Sequence, residues 1–275
     1  MHFAKMEGTG NDFVVTHTDD PAAVDAWIPR VARLCDRRRG IGADGVIFIL
    51  PSTNADYRMR IFNSDGSEAE MCGNGIRCVV MYLDKTGLSG KGMLTIETGA
   101  GLITTTRLHD QVRVDMGPPV LDAGRIPTTK KSGRVLMESL TAGGRVFRVT
   151  AVSMGNPHAV IFVARITDDL VLDYGRELER HAFFPRRANV EFVRIISESE
   201  IEMRVYERGC GETLACGTGT CAAVVAGVLN GKLGGKVTVH LLGGDLLVEW
   251  DGDASHSVFL TGPARWVYEG DIAAA

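Results

Sequence analysis

Cysteine is the residue type best placed to do chemistry in this 275-residue chain, and two of its six cysteines stand in matching glycine-rich segments. Cys72 lies in the segment Met71–Gly75, and Cys216 lies in the segment Ala215–Gly219, 144 positions further on. A thiolate can act as a base or as a nucleophile. The pattern therefore predicts two related thiol sites.

The similarity between these segments extends beyond the cysteines. From Met59 to Gly75, six residues are identical to those 144 positions later, where chance predicts about one. An offset of 145 relates two further pairs: Gly10-Asn11 with Gly155-Asn156, and Gly117-Pro118 with Gly262-Pro263. The chain is therefore interpreted as a duplication, with domains at residues 1–117 and 118–262. The Gly-, Thr- and Lys-rich stretch from Leu121 to Gly144 is interpreted as linker and edge structure.

Each half repeats one order of elements. Short β-branched runs such as Val46–Leu50 precede the cysteine, and an apolar segment of helical length follows it, at Gly73–Leu83 and again at Gly217–Leu229. Glycine-marked turns then separate hairpin candidates. The predicted fold class is α+β, with two pseudo-symmetric domains, each a curled mixed β-sheet around a central helix.

Each of the two cysteines is predicted to open its helix. Unpaired N–H groups and the helix dipole at this position favour the thiolate, so we expect a lowered thiol pKa. Glycines follow both cysteines and leave the helix N-terminus open to a ligand carboxylate. One helix end would then serve both a base and the anion of a substrate.

Two such thiols fit the inversion of a tetrahedral carbon, which needs a base on one face and an acid on the other. If the halves face each other about a pseudo-two-fold axis, their cysteines approach one shared cleft. A thiol redox pair and a metal-binding protein are the alternative functions. The chain has no Cys-x-x-Cys spacing, which is the pattern that would predict a zinc site. Cys35, Cys78 and Cys221 are assigned no role.

Polar residues recur at matching offsets around the cysteines. Asn11 and Asn156 each follow a glycine, and Asn63 occupies the position that matches Glu207. Glu207 and Arg208 together suit the ammonium and carboxylate groups of an amino acid. His158, two residues after Asn156, is equally well explained as a group that tunes a thiol or as a core histidine.

Composition excludes several other classes of protein. The net charge of −4 gives no basic surface for nucleic acid, and Arg37–Arg39 is too short a run to change that. We expect neither a signal peptide nor a membrane span, because no apolar run approaches about 18 residues. A cytoplasmic protein with reduced thiols is predicted.

Four motifs, taken in order, resemble the diaminopimelate epimerase family over nearly the whole chain. They are Gly10–Phe13, Asn63–Glu68 leading to Cys72–Gly75, Gly155–His158, and Glu207–Gly209 leading to Ala215–Gly219. The resemblance implies an isomerase without cofactor or metal, which interconverts LL- and meso-diaminopimelate in lysine and peptidoglycan-precursor synthesis.

The same resemblance implies roles for individual residues. Cys72 and Cys216 are the acid/base pair, positioned and tuned by His158 and Glu207. The backbone at Gly73-Asn74 and Gly217-Thr218 holds the reacting carboxylate. The rest of the substrate is held by Asn11, Asn63, Asn156, Asn189, Glu207 and Arg208.

The resemblance also has consequences beyond the site. It implies that the tail, residues 263–275, returns to the first domain, and it allows assembly as a homodimer. Gly45 departs from the pattern, because some relatives carry Gln there. A proline or hydroxyproline racemase is the nearest alternative enzyme. Proline is compact and has no second amino-acid end, so it would give Arg208 nothing to bind.

Overall fold

The protein is represented by a computed structural model, which describes residues 1–273. The chain forms two compact units. One contains Met1–Asp115 together with the chain from Thr261 onward, and the other contains Met116–Leu260.

The first unit is mostly β-structure. Its strands are β1 (His2–Gly8), β2 (Asn11–His17), β3 (Gly45–Leu50), β4 (Tyr57–Asn63), β5 (Glu68–Ala69), β6 (Met93–Thr98), β7 (Gly101–Leu108) and β8 (Gln111–Asp115), joined by β18 (Arg265–Asp271). Its helices are α1 (Pro21–Trp27), a 3₁₀ turn (Ile28–Arg30), α2 (Val31–Cys35) and α3 (Gly73–Lys85). The sheet is mixed, because β2–β3 and β4–β6 pair in parallel and the other paired neighbours are antiparallel.

Strand β3 lies in the middle of this unit and is buried along its whole length. Val46 and Phe48 pack into a cluster that includes residues of α1 and α2. Ile47 points the other way, since its Cδ1 lies against Gly75 in the first turn of α3. A strand covered on both faces has no need of polar alternation, which explains the unbroken apolar run in its sequence.

The second unit has the same kind of construction. Its strands are β9 (Glu138–Ala142), β10 (Arg145–Ser153), β11 (Pro157–Phe162), β12 (Asn189–Ser197), β13 (Glu200–Glu207), β14 (Gly211–Thr213), β15 (Lys236–Leu241) and β16 (Gly244–Glu249), while β17 (Phe259–Pro263) spans the boundary of the units. Its helical segments are a π-helix (Asp169–Tyr174), α4 (Gly175–Glu179) and α5 (Gly217–Leu229).

Helix α5 is the centre of one hydrophobic core in this unit. Small side chains fill it, and Ala222 through Ala226 have no exposed surface. Because every face of this stretch is covered, α5 shows no amphipathic pattern. A second cluster, on which the π-helix and α4 pack, contains Val190 and Phe192 of β12.

The strand pairings repeat from one unit to the other. The parallel pairs β2–β3 and β4–β6 correspond to β11–β12 and β13–β15, and each cysteine-bearing helix follows a short strand paired to β4 or β13. This order confirms the predicted α+β fold of two homologous units, each with a mixed sheet and a central helix. The short helices α1, α2 and α4 are additions that the sequence patterns did not predict.

The end of the described chain contributes to the first unit. Strand β18 pairs with β1 in antiparallel orientation, from His2 opposite Asp271 to Glu7 opposite Arg265. Of the tail that the resemblance assigns to this unit, residues 274 and 275 lie outside the described residues. No helix within residues 1–273 is both long enough and apolar enough to cross a membrane.

Candidate active site

Cys72 is the N-cap of α3. Its backbone is extended, with φ −143° and ψ 116°, and its Sγ accepts a hydrogen bond from the N–H of Gly75 at 3.4 Å. An N-cap side chain normally contributes an oxygen at this position, and here a sulfur takes that place. The thiol therefore lies at the positive end of the helix dipole, and the residue is half-buried.

Cys216 is the N-cap of α5 in the same way. Its φ is −125° and its ψ is 110°, and Sγ accepts from the N–H of Gly219 at 3.4 Å. Sγ also lies 3.5 Å from the hydroxyl oxygen of Thr218. The residue is only 6% exposed, so this thiol is more enclosed than that of Cys72.

The surroundings of Cys216 raise its pKa, against our expectation for a helix N-terminus. Burial is the largest cause, followed by the nearby carboxylates of Glu207 and Glu191. Hydrogen bonds from Thr218 and from the N–H of Gly219 favour the thiolate but do not offset these effects. Cys216 is therefore a protonated thiol at neutral pH, because desolvation outweighs the helix end.

Asn11 connects the first thiol to the loop before β3. Gly10 precedes it with φ +80°, a backbone conformation that suits glycine, and Gly155 has the same role before Asn156 with φ +97°. The Asn11 Nδ2 donates to Asp44 Oδ2 at 2.8 Å. Its Oδ1 therefore faces the other way and accepts from Cys72 Sγ at 3.7 Å.

The amide of Asn74 is fixed by a similar sequence of contacts. Arg77, which is fully buried, donates from Nη1 to Asn74 Oδ1 at 3.0 Å. This leaves the Nδ2 of Asn74 to donate to Asn11 Oδ1 at 3.3 Å. Arg77 also donates to Thr9 Oγ1 at 2.7 Å. Cys72, Asn11 and Asn74 thus form one hydrogen-bonded group at the start of α3.

Asn63 is exposed at the end of β4, in the turn that leads to β5. Its Nδ2 donates to Ser67 Oγ at 3.0 Å, and its backbone N–H donates to the carbonyl of Ser67 at 2.8 Å. Asp65 in turn accepts from the N–H of Ser67 at 2.9 Å. These contacts fix the turn and hold Asn63 in it.

His158 and Asn156 form the polar group of the second unit. His158 has no exposed surface, and its Nδ1 lies 2.6 Å from Glu191 Oε1. Its Nε2 lies 2.9 Å from Asn156 Oδ1. The strands explain this arrangement, because His158 of β11 pairs with Asn189 of β12, two residues before Glu191 on the same face.

Asn189 holds the turn that carries Arg208. Its Oδ1 accepts from the N–H of Arg208 at 2.8 Å, and its Nδ2 donates to the carbonyl of Pro157 at 3.2 Å. The next N–H, of Gly209, donates to Glu179 Oε1 at 3.1 Å. Both ends of the Asn189 amide are therefore engaged in fixing the backbone around Arg208.

Glu207 precedes this turn at the end of β13. Its Oε1 accepts a hydrogen bond from the hydroxyl of Thr213. Its charge is one of the causes that raise the pKa of Cys216. The guanidinium of Arg208 touches only a carbonyl, that of Arg186 at 3.5 Å, among the contacts of the described residues.

The other cysteines have different surroundings. Cys78 and Cys221 are fully buried within α3 and α5. Burial raises the pKa of Cys35 to about 11, and it raises that of Cys78 further. Cys210 is exposed in the turn after β13. These environments give Cys35 and Cys78 little thiolate at neutral pH.

Several residues of these groups were not predicted from the sequence as site residues. Asp44 holds Asn11, Arg77 holds Asn74, and Glu191 holds His158. A signal exists for Glu191, because the position 144 residues earlier is Ile47 and a carboxylate in place of an apolar residue marks a divergence within the repeat. Asp44 has no comparable signal, since acidic residues are ordinary in loops.

The fold of the chain is shared with solved structures of other proteins. A crystal structure of a probable proline racemase from Agrobacterium radiobacter K84 superposes with a TM-score of 0.72 at 19% identity, over 99% of this chain and 92% of that one. A PhzF-family phenazine biosynthesis protein from Bacillus anthracis gives 0.70 at 18%, over 100% and 99%. These structures define the fold class.

Sequence comparison identifies the family within that class. The family described as "Diaminopimelate epimerase" matches residues 3–121 and 150–267. Diaminopimelate epimerase of Desulforudis audaxviator is 51% identical over 280 residues, covering 98% of both chains. A chloroplastic relative from Oryza sativa subsp. japonica is 48% identical over 282 residues, covering 98% of this chain and 79% of its own. The chain belongs to the diaminopimelate epimerase family.

Proposed function

We propose that this protein is an isomerase that interconverts LL- and meso-diaminopimelate, without an organic cofactor or a metal, in the synthesis of lysine and peptidoglycan precursors. The observation that carries the proposal is the pair of matched cysteines, each the N-cap of the matched helix in its unit. Family membership at about half identity over nearly the full length supports the substrate.

Cys72 and Cys216 are the acid and base of this reaction. One thiolate removes the proton from Cα, so that the C–H bond breaks and an S–H bond forms. The other thiol donates its proton to the opposite face of the resulting carbanion, which inverts the centre. The reverse reaction uses the same groups with their protonation states exchanged. The mechanism requires that both sulfurs reach one Cα.

The two thiols differ in their environments. Burial and two carboxylates raise the pKa of Cys216, which supports a protonated thiol as its starting state, so it enters as the acid. Cys72 is then the base once it has lost the proton that it donates to Asn11 Oδ1, and the N–H of Gly75 favours the thiolate that forms.

The first turns of α3 and α5 hold the reacting carboxylate. The backbone at Gly73-Asn74 and at Gly217-Thr218 belongs to these first turns, where N–H groups favour an anion. A carboxylate held in this way also draws electron density from Cα, and it stabilises the carbanion as it forms.

The remaining polar residues hold the substrate away from the reacting carbon. Arg208 binds the distal carboxylate, and this role is supported by the rigid turn that Asn189 and Glu179 fix around its backbone. Further substrate contacts are made by Asn11, Asn63, Asn156, Asn189 and Glu207. His158 and Glu207 position and tune the two thiols.

We further propose that residues 1–117 and 118–262 act as the two domains of the enzyme, with the tail on the first. The compactness of the two units supports this division. A cytoplasmic location and assembly as a homodimer belong to the same proposal. Gel filtration with light scattering tests the assembly.

The function is tested by incubating purified protein with LL-diaminopimelate and separating the stereoisomers by chiral chromatography. The protein is first stripped with a chelator and with hydroxylamine, which removes pyridoxal phosphate. Steady formation of the meso isomer, with no racemisation of L-proline in a parallel reaction, is the expected result. Turnover that stops on stripping and returns when a metal or pyridoxal phosphate is added would refute the cofactor-free proposal.

A further inference from the structure

A buried carboxylate lies beside the second thiol, and the mechanism above gives it no role. Glu191 of β12 has no exposed surface, and its Oε1 lies 2.6 Å from Nδ1 of the equally buried His158. Its other oxygen, Oε2, is the one buried side-chain oxygen or nitrogen without a hydrogen-bond partner within residues 1–273. Such an orphaned polar atom is costly and calls for an explanation.

The hydrogen bonds of His158 define what Glu191 does. Asn156 presents its carbonyl Oδ1 to Nε2 at 2.9 Å, and a carbonyl oxygen only accepts, so Nε2 carries a hydrogen. The contact between Nδ1 and Glu191 therefore shares a single proton. Glu191 thus selects the form of the imidazole that carries a hydrogen on Nε2 and donates it to Asn156. The Nδ2 of Asn156 then points away from the ring.

Glu191 also lies against the helix that carries Cys216. A Cβ atom added to Gly219 would lie 2.8 Å from Glu191 Oε1 and 3.3 Å from Cys216 Sγ. The carboxylate and the thiol therefore border the same spot on the first turn of α5. A substitution at Glu191 therefore alters the surroundings of both the Cys216 thiol and the Asn156 amide.

The first unit shows that the fold itself does not need a carboxylate here. Gly75 is the counterpart of Gly219, and a Cβ added to it would lie 3.0 Å from Cδ1 of Ile47. Ile47 stands 144 residues before Glu191, and Phe13 stands where His158 stands in the second unit. Apolar residues thus fill the same place in an otherwise matching unit, so the cost of burying Glu191 is explained by function.

We propose that Glu191 is a positioning residue for the reaction at Cys216, which acts by fixing His158 and, through it, the amide of Asn156. The inference rests on the proposed function for its kinetic part only. Its structural part, the form of the His158 imidazole, is measured without substrate. The wild-type conversion assay is run first, so that failure of the function is recognised separately.

The test compares Glu191→Leu, Glu191→Gln and the control Glu200→Gln. Leucine resembles the Ile47 counterpart and removes all hydrogen bonding, whereas glutamine keeps the shape and donates to Nδ1 from its amide. Glu200 Oε1 lies 2.8 Å from Nε2 of the partly exposed His240. These two residues form a second histidine–glutamate pair, which serves as the control. Circular dichroism and thermal melting establish that each variant is folded.

The first readout is the ring ¹⁵N spectrum of His158, assigned by its loss in His158→Gln. We expect the Nε2–H form in wild type, in Glu191→Gln and in the control, and its loss in Glu191→Leu. The second readout is kcat/KM for diaminopimelate. At metal sites, loss of a partner that orients a ligating histidine costs about 10–100-fold, and we expect a loss of that size in Glu191→Leu. Glu191→Gln should recover most of it.

Three results would overturn the proposal. In the first, Glu191→Leu keeps the wild-type His158 spectrum or the wild-type kcat/KM. In the second, Glu191→Gln is as impaired as Glu191→Leu, which would mean that the carboxylate acts by charge and not by position. In the third, Glu200→Gln loses as much activity as Glu191→Leu, which would make the effect unspecific.

Discussion

Two cysteines that occupy the same place in a repeat have acquired different properties. Cys72 is half-buried beside Asn11, while Cys216 is enclosed next to two carboxylates that raise its pKa. In the proposed reaction one sulfur holds a proton at the start and the other does not, and the two roles exchange in the reverse direction.

The first prediction concerns the cysteines themselves. Cys72→Ala and Cys216→Ala should each reduce epimerisation to the background rate, because each variant lacks either the proton acceptor or the proton donor. Cys35→Ala and Cys78→Ala are the matched controls, and both should stay within a few-fold of wild type. Conversion is followed by chiral chromatography. Near-normal turnover in either of the first two variants would remove that cysteine from the mechanism.

The second prediction concerns Arg208. A charge-assisted contact to a carboxylate is worth about 1.5–3 kcal/mol, so Arg208→Ala should lower kcat/KM by about 10–150-fold while the melting temperature stays near wild type. The exposed Arg125 provides the control, since Arg125→Ala removes the same charge from the surface of the same unit. Equal kinetics for the two variants would show that Arg208 does not bind substrate.

At the scale of elements, the first turns of α3 and α5 hold the two sulfurs by equivalent hydrogen bonds from Gly75 and Gly219. The two glycines differ in what surrounds them. The added methyl of an alanine would meet the flexible end of Ile47 at Gly75, but it would meet the buried carboxylate of Glu191 at Gly219.

The third prediction follows from this difference. Gly219→Ala should destabilise the protein by about 1–3 kcal/mol, the usual range for overpacking, and it should lower kcat/KM strongly, because Glu191 and Cys216 must both move. Gly75→Ala should have the smaller effect on both, since the Ile47 side chain is able to rotate. Urea denaturation and steady-state kinetics measure the two effects. The reverse ranking would contradict the packing described for these helices.

Repetition explains which elements were predictable. The helices after Cys72 and Cys216 were predicted because glycines, thiols and apolar runs recur at a fixed offset, and they were found at Gly73–Lys85 and Gly217–Leu229. The short helices α1, α2 and α4 were missed. Each has five or seven residues and is held by packing on the sheet, which local sequence does not reveal.

The candidate site was predictable to a similar extent. The cysteines and asparagines were predicted through the repeat and the family motifs, whereas Asp44 and Glu191 were not. Their importance comes from contacts with Asn11 and His158, which lie 33 residues away in each case. Contacts of this kind depend on strand register, and register is set by the folded sheet.

At the scale of the whole molecule, a duplicated fold has kept its topology while its polar interiors diverged. The second unit buries His158 and Glu191, and the first unit instead connects Lys5, Asp12, Arg37 and Asp44 near its thiol.

The fourth prediction concerns acid stability. Burial by itself raises the pKa of Asp12, but hydrogen bonds from Arg37 and Lys5 prevail and lower it to about 2 from an ordinary 3.8. A carboxyl with a depressed folded-state pKa stabilises the protein above its ordinary pKa, and this stability is lost as the pH falls towards 2. The shift corresponds to about 2 kcal/mol.

Asp12→Asn should therefore be less stable than wild type by about 2 kcal/mol at pH 6, and the difference should vanish as the pH approaches 2. Urea denaturation at a series of pH values measures it. The exposed Asp110 serves as the control, and Asp110→Asn should follow the wild-type curve at every pH. A constant difference between Asp12→Asn and wild type across the series would rule out the ion pairs as its cause.

The central claim is that two thiols act on opposite faces of one carbon, and isotope exchange in heavy water tests it most directly. LL-diaminopimelate is incubated with the protein in D₂O, and both isomers are isolated at low conversion for mass spectrometry. The base keeps the proton that it removes, while the opposite thiol donates a deuteron taken from solvent. The meso product should therefore carry deuterium at the inverted Cα, and the recovered LL isomer should carry none. Deuterium that enters the LL isomer as fast as it enters the meso isomer, or a product that retains its original hydrogen, would contradict the two-thiol mechanism.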